Sequence, residues 1–70
     1  MKINRHALNI ALAKAMLNRR ELAKKSGVSE SLLSKAYNGH SGISPKAIGK
    51  IARALDVPVE SLVEQPNESL

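Results

Sequence analysis

Between Asn18 and Gly39 the chain reads NRRELAKKSGVSESLLSKAYNG, a stretch that holds two complete sets of helix start and stop signals and leaves no room for a long element. Asn18 can offer its side-chain oxygen to the open amides of a helix start. Glu21, three residues on, can reach back to the Asn18 amide, which is the arrangement of a capping box. Leu22 and Ala23 then turn toward a core, and Gly27 closes the helix because a residue without a β-carbon enters the left-handed region freely. Val28 plugs the turn, Ser29 caps a second helix running from Glu30 to about Tyr37, and Asn38-Gly39 ends it. Each helix is about two turns long. Helices that short do not hold in water alone, so both must pack against others, and two of them joined by a turn containing glycine make a helix-turn-helix.

The flanking sequence supplies the packing partners. Leu8, Ala11, Leu12, Ala15 and Met16 recur at helical spacing, so a first helix is expected from about Arg5 to Met16, capped by Asn4. His40 to Ile43, bordered by Gly39 and containing Gly42, reads as a loop. Ser44 caps a further helix with Pro45 at its first position, and Ile48, Ile51, Ala52 and Leu55 fall at i, i+3, i+4 and i+7. Asp56 to Pro58 breaks this helix. Val59 to Val63 makes a short fifth one whose Leu62 closes the base of the core. No strand, repeat or low-complexity segment is evident.

Charge is distributed unevenly within a net charge of +5. All 11 Lys and Arg residues lie in residues 1–53, where Glu21 and Glu30 are the only acids, whereas Asp56, Glu60, Glu64 and Glu68 follow without a base among them. A basic body with an acidic end suits a polyanionic partner, the acidic end turned away from it. At 70 residues the chain has room for one small core and no catalytic cleft of ordinary size. The lack of Cys fits a reducing cytoplasm, and no apolar run is long enough to span a bilayer or serve as a signal-peptide core, so a soluble cytoplasmic protein is expected.

The run LNRRELAKKSGVSESLLSKAYNG, with Leu17, Asn18, Leu22, Ala23, Gly27, Val28, Ser29, Leu33, Asn38 and Gly39 as landmarks, resembles the helix-turn-helix of the Cro and repressor (XRE-like) class of DNA-binding proteins from lambdoid phages and bacteria. The likeness extends more weakly over most of residues 5–63. It implies an all-α, compact five-helix bundle of the lambda-repressor-like type, with the helix-turn-helix as helices 2 and 3. Residues 1–63 would form the domain and residues 64–70 a flexible polar tail. It further implies a sequence-specific, double-stranded-DNA-binding transcriptional regulator, in the first place a repressor, of phage, mobile-element or bacterial origin. Members of the class usually bind pseudo-palindromic operators as homodimers. Helix 5 and Val57 to Val63 are the expected dimer surface.

Rotation of helix 3 by about 100° per residue puts Leu33, Ala36 and Tyr37 on a core side and Ser31, Ser34, Lys35 and Asn38 on the other. The resemblance makes Glu30, Ser31, Ser34 and Lys35 the base-contacting set. Glu30 suits cytosine N4, Lys35 suits guanine O6 and N7, and a serine suits either role. Glu30 is equally explained by the dipole at the helix start. Leu32, where the family usually carries a polar side chain, either touches a thymine methyl or widens the core, and partial burial is the favoured reading. Asn18, Arg19, Arg20, Ser29, Asn38, His40, Ser41, Ser44 and Lys46 form the phosphate-contacting set, helped by the helix N-termini at Asn18, Ser29 and Ser44. Lys24 and Lys25 read as solvent-facing charges.

The chain departs from the family at three further points. Arg19 stands where Gln is most common, and Leu12 and Tyr37 stand where many relatives pair an Arg with a Glu. An apolar contact replaces such an ion pair at little cost. The ring of Tyr37, the lone aromatic residue, is expected between helices 1 and 3 with its hydroxyl at the surface.

Other functions fit less well. His6 and His40 come with no carboxylate pair, thiol or phosphate loop, so neither an enzyme nor a metal site is expected, and no cofactor is implied. Helix 1 is basic and amphipathic, but its cap and the downstream core stripes argue against a membrane-surface helix. A protein-docking module, such as an antitoxin or partner-binding helix-turn-helix domain, is the alternative that stays open, because the fold alone does not fix the partner.

Overall fold

The computed structural model describes residues 1–64. Five helices follow in chain order: α1 (Arg5–Ala15), α2 (Arg19–Ser26), α3 (Glu30–Tyr37), α4 (Pro45–Leu55) and α5 (Val59–Leu62). The caps form as their residue types require. The Asn4, Asn18, Ser29 and Ser44 side chains accept from the backbone N–H groups of Ala7, Glu21, Leu32 and Ala47, and Glu21 Oε1 closes the capping box on the Asn18 N–H at 2.9 Å.

Helix α4 is the central element, packed against α1, α2 and α5, while α3 is held between α1 and α2. Its apolar stripe buries Ala47, Ile48, Ile51, Ala52, Ala54 and Leu55. These join Leu8 and Leu12 of α1, Leu22 of α2, Leu33 and Ala36 of α3 and Leu62 of α5 in one core cluster. The two-turn helices α2 and α3 are thus held by this shared core, each contributing two buried residues. Among the described residues no helix is long and apolar enough to cross a membrane.

Three helix ends close in the same way. Leu17, Val57 and His40 donate back to the carbonyls of Leu12, Ala52 and Lys35, while Met16, Asp56 and Gly39 donate to those of Ala13, Arg53 and Ala36. This pattern forces the middle residue into the left-handed region. Gly39 accepts that at φ 82, but Met16 and Asp56 both sit at φ 57 with a β-carbon. Helix α1 therefore ends at Ala15, one residue before the Met16 end expected from periodicity, because Met16 has left the helical conformation to serve as its cap. Its side chain is 86 % exposed, so it contributes almost nothing to the core.

Two further departures concern the chain ends. Ile3 forms an isolated antiparallel bridge with Val63, where no strand pairing was expected, flanked by Asn4 N–H donating to Leu62 O and Glu64 N–H donating to Lys2 O. Val63 is drawn into this bridge, so α5 stops at Leu62 instead of Val63. Glu64, assigned to the tail on sequence, is held by that hydrogen bond and by an ion pair with Lys2 at 3.7 Å. The rest of the expected flexible tail, residues 65–70, lies outside the described residues. The segment before α1 also reaches the α3–α4 loop, where Met1 N donates to the carbonyls of Ser41 and Ile43 and Ile43 N–H donates to Met1 O. Ile3 and Ile43 are both buried by this arrangement.

Ile51 has no exposed surface, so Ile51→Ala is expected to destabilise the fold by about 2–5 kcal/mol, read from urea or thermal melts; a change near zero would contradict its central place in the core. Met16→Gly removes a β-carbon from a left-handed site and sacrifices little packing. It is expected to raise stability by about 1 kcal/mol in the same measurement, and a loss of stability would mean that the Met16 side chain contributes more than its exposure indicates.

Candidate nucleic-acid interface

The face of α3 that does not enter the core carries Glu30, Ser31, Ser34 and Lys35, all exposed. Leu33 and Ala36 are buried and Tyr37 is partly buried against the core, so helical periodicity divides the two faces where the sequence places the division. Leu32 lies between them and is half-buried.

Two hollows border this face and collect most of the expected site residues. The first, about 470 Å³, is lined by Arg19 and Arg20 from the start of α2 and by Glu30, Ser31, Leu33 and Ser34 from α3. The second, about 200 Å³, joins the helix-turn-helix turn at Gly27, Val28 and Ser29 to Leu32 and to Ser44, Lys46, Ala47 and Lys50. The start of α2 and the start of α4 thus flank α3 on separate sides. Asn38, His40 and Ser41 belong to neither hollow. They follow the C-terminal end of α3 and are exposed, with the His40 N–H held by Lys35 O and the Ser41 carbonyl accepting from Met1 N.

The caps decide which backbone donors stay open. At α2 the amides of Asn18, Glu21 and Leu22 are taken by the capping box and the first helical bond, which leaves those of Arg19 and Arg20. At α3 Ser29 satisfies Leu32 and Leu33, leaving Glu30 and Ser31. At α4 Ser44 satisfies Ala47 and Ile48, and Pro45 has no N–H, so Lys46 is the open one. Open amides at a helix start favour an anion because they combine unpaired donors with the positive end of the helix dipole. Asn18 Oδ1 is occupied by its cap, so only its side-chain NH₂ can reach outward.

Side-chain charge on this face is organised into two motifs. Arg20 Nε lies 3.9 Å from Glu30 Oε2, with the two side chains 74 % and 66 % exposed, so the pair is well solvated and adds little stability. It does give Glu30 a partner, so its position is explained without any base. The Arg19 guanidinium instead lies 4.7 Å from the centroid of the Tyr37 ring, and the Tyr37 hydroxyl donates to Asn9 Oδ1 on α1. The ring thereby bridges helices 1 and 3, as expected of Tyr37, and its use as a platform for Arg19 is an addition. Lys50 was also missed by sequence reasoning. Its signal is the i, i+4 spacing from Lys46, which puts both cations on one side of α4.

An exposed helix face beside two short, capped helices and a glycine turn is the surface that helix-turn-helix proteins present to the major groove. A family model described as helix-turn-helix matches residues 8–62 of the chain. The chain belongs to this family. Its fold is that of the Cro/repressor, XRE-like helix-turn-helix proteins, and it is a DNA-binding helix-turn-helix regulator at the level the family defines. A search of curated proteins gave no match.

Proposed function

We propose that this helix-turn-helix protein is a sequence-specific transcriptional repressor that inserts α3 in the major groove of double-stranded DNA. The observation that carries this reading is the outer face of α3. Its four exposed polar side chains are not used by the core, and they stand between helix starts whose first amides are open. Ser31, Ser34 and Lys35 read base edges, together with Glu30 where the Arg20 pair opens. Lys35 is the guanine reader because its ammonium suits the O6 and N7 acceptors.

The phosphate track is made by Asn18, Arg19 and Arg20 on one side and by Ser29, Ser44 and Lys46 on the other. Asn38, His40 and Ser41 extend it past the end of α3, and Lys50 is added to it on the strength of the hollow it shares with Ser29, Ser44 and Lys46. These contacts fix orientation and supply salt-dependent affinity without reading sequence.

The protein acts as a homodimer on a pseudo-palindromic operator, with helix α5 and its flanks at the dimer contact. Support comes from an apolar hollow of about 210 Å³ lined by Ala7, Ile10, Ala11, Lys14, Val57 and Ser61. Ile10 is 44 % exposed there, so an apolar side chain is open to a partner on this face. Repression follows by occlusion, since a protein seated on an operator blocks the same stretch of DNA from polymerase.

Selection of bound sites from random duplexes at physiological salt tests the whole reading. A palindromic consensus is expected, its half-site spacing reporting the dimer, whereas the absence of any enriched sequence would overturn specific recognition and favour a protein-docking role. Lys35→Ala is expected to reduce discrimination between the selected site and random DNA by about 1–3 kcal/mol, measured as the ratio of the two affinities. An unchanged ratio would remove Lys35 from the base-reading set.

A further inference from the structure

Resting on the DNA-binding reading above, we propose that Tyr37 is a positioning residue for Arg19. Its ring, anchored through the hydroxyl to Asn9, holds the Arg19 guanidinium at the start of α2 in the orientation that meets a DNA phosphate. Three helices take part. Asn9 lies on α1, Tyr37 is the last residue of α3 and Arg19 is the first of α2.

The geometry separates Arg19 from its neighbour. Arg20 has its Nε 3.9 Å from the Glu30 carboxylate, so part of its charge is offset by a solvated pair. Arg19 belongs to neither the Lys2–Glu64 nor the Arg20–Glu30 ion pair. A guanidinium set over a ring is attracted through the ring's π-face and needs no acceptor atom for that contact. Stacking therefore fixes the arginine without consuming the groups that bind an anion. An unstacked arginine loses side-chain freedom when it binds, whereas this one has lost part of that freedom already.

The ring is a suitable platform because it is itself held. One side packs against the core cluster, and the hydroxyl donates to Asn9, so rotation of the ring breaks a contact at each end. Arg19 also lines the first hollow together with Ser31 and Ser34, and its own amide is left open by the α2 cap. A phosphate there would meet a backbone donor and a charged side chain from one residue.

Tyr37 is the sole aromatic residue of the chain, so tyrosine emission reports on it alone. The test combines that emission with anisotropy titrations of the full chain against a short random-sequence duplex at low salt, using Arg19→Ala, Tyr37→Leu and the double variant. Each single change is expected to weaken binding about two- to fivefold, with the double variant no weaker than Arg19→Ala. Arg19→Ala is also expected to change the tyrosine emission of the free protein. Should Tyr37→Leu melt early, Asn9→Ala at an exposed site replaces it, and its loss of affinity is expected to vanish in the Arg19→Ala background. Losses that multiply in the double variant, or emission untouched by Arg19→Ala, would overturn the positioning role and leave DNA binding standing. Failure of the unaltered protein to bind the duplex would overturn both.

Discussion

Burial of the α4 stripe is the interaction on which the other elements depend. Helices α2 and α3 are each 8 residues long, below the length at which an isolated helix holds in water. Their two buried residues apiece gain nothing until a surface is present to receive them. Ile48 and Ile51, both with no exposed area, help to form that surface, and α4 packs on α1, α2 and α5 together. Loss of this stripe would leave α3, the helix proposed to read DNA, with no fixed direction. The orientation of α3, and so of every side chain on its outer face, is set by packing on the opposite face.

Cap chemistry then divides the backbone between structure and recognition. Each polar cap residue satisfies the third amide of its helix and leaves earlier ones open. The same side chains that make short helices stable therefore define where an anion can be received. Three such starts, at α2, α3 and α4, border the same exposed helix. The cations of the interface are treated unequally: Arg20 is paired with a carboxylate and Arg19 is stacked on a ring. One cation is partly offset by an acid and the other is held over a π-face, a difference invisible to net charge.

The first residues of the chain have a structural role that their composition hides. Ile3 bridges to Val63, and Met1 holds the α3–α4 loop through Ile43 and Ser41. This ties the loop that follows α3 to the residue that follows α5. The loop carries His40 and Ser41, so the segment before α1 helps to fix the backbone nearest the proposed phosphate track. A single bridged residue has neither periodicity nor a propensity run, which is why sequence reading found no pairing there.

The sequence by itself determined the helices, their caps, the glycine turn and the two faces of α3, because these depend on interactions within about five residues or on a fixed helical period. It also made the polar residues outside the core legible as a candidate site. Helix ends were less legible where a residue with a β-carbon takes the left-handed cap, as at Met16, since nothing in its type announces that conformation. Only the tertiary structure decided that Tyr37 meets Asn9, that Arg19 lies on the ring, that Arg20 faces Glu30 and that Lys50 shares a hollow with Ser44. Those meetings join different helices, and their geometry is fixed by how the helices cross in the shared core, a quantity that no local pattern along the chain encodes.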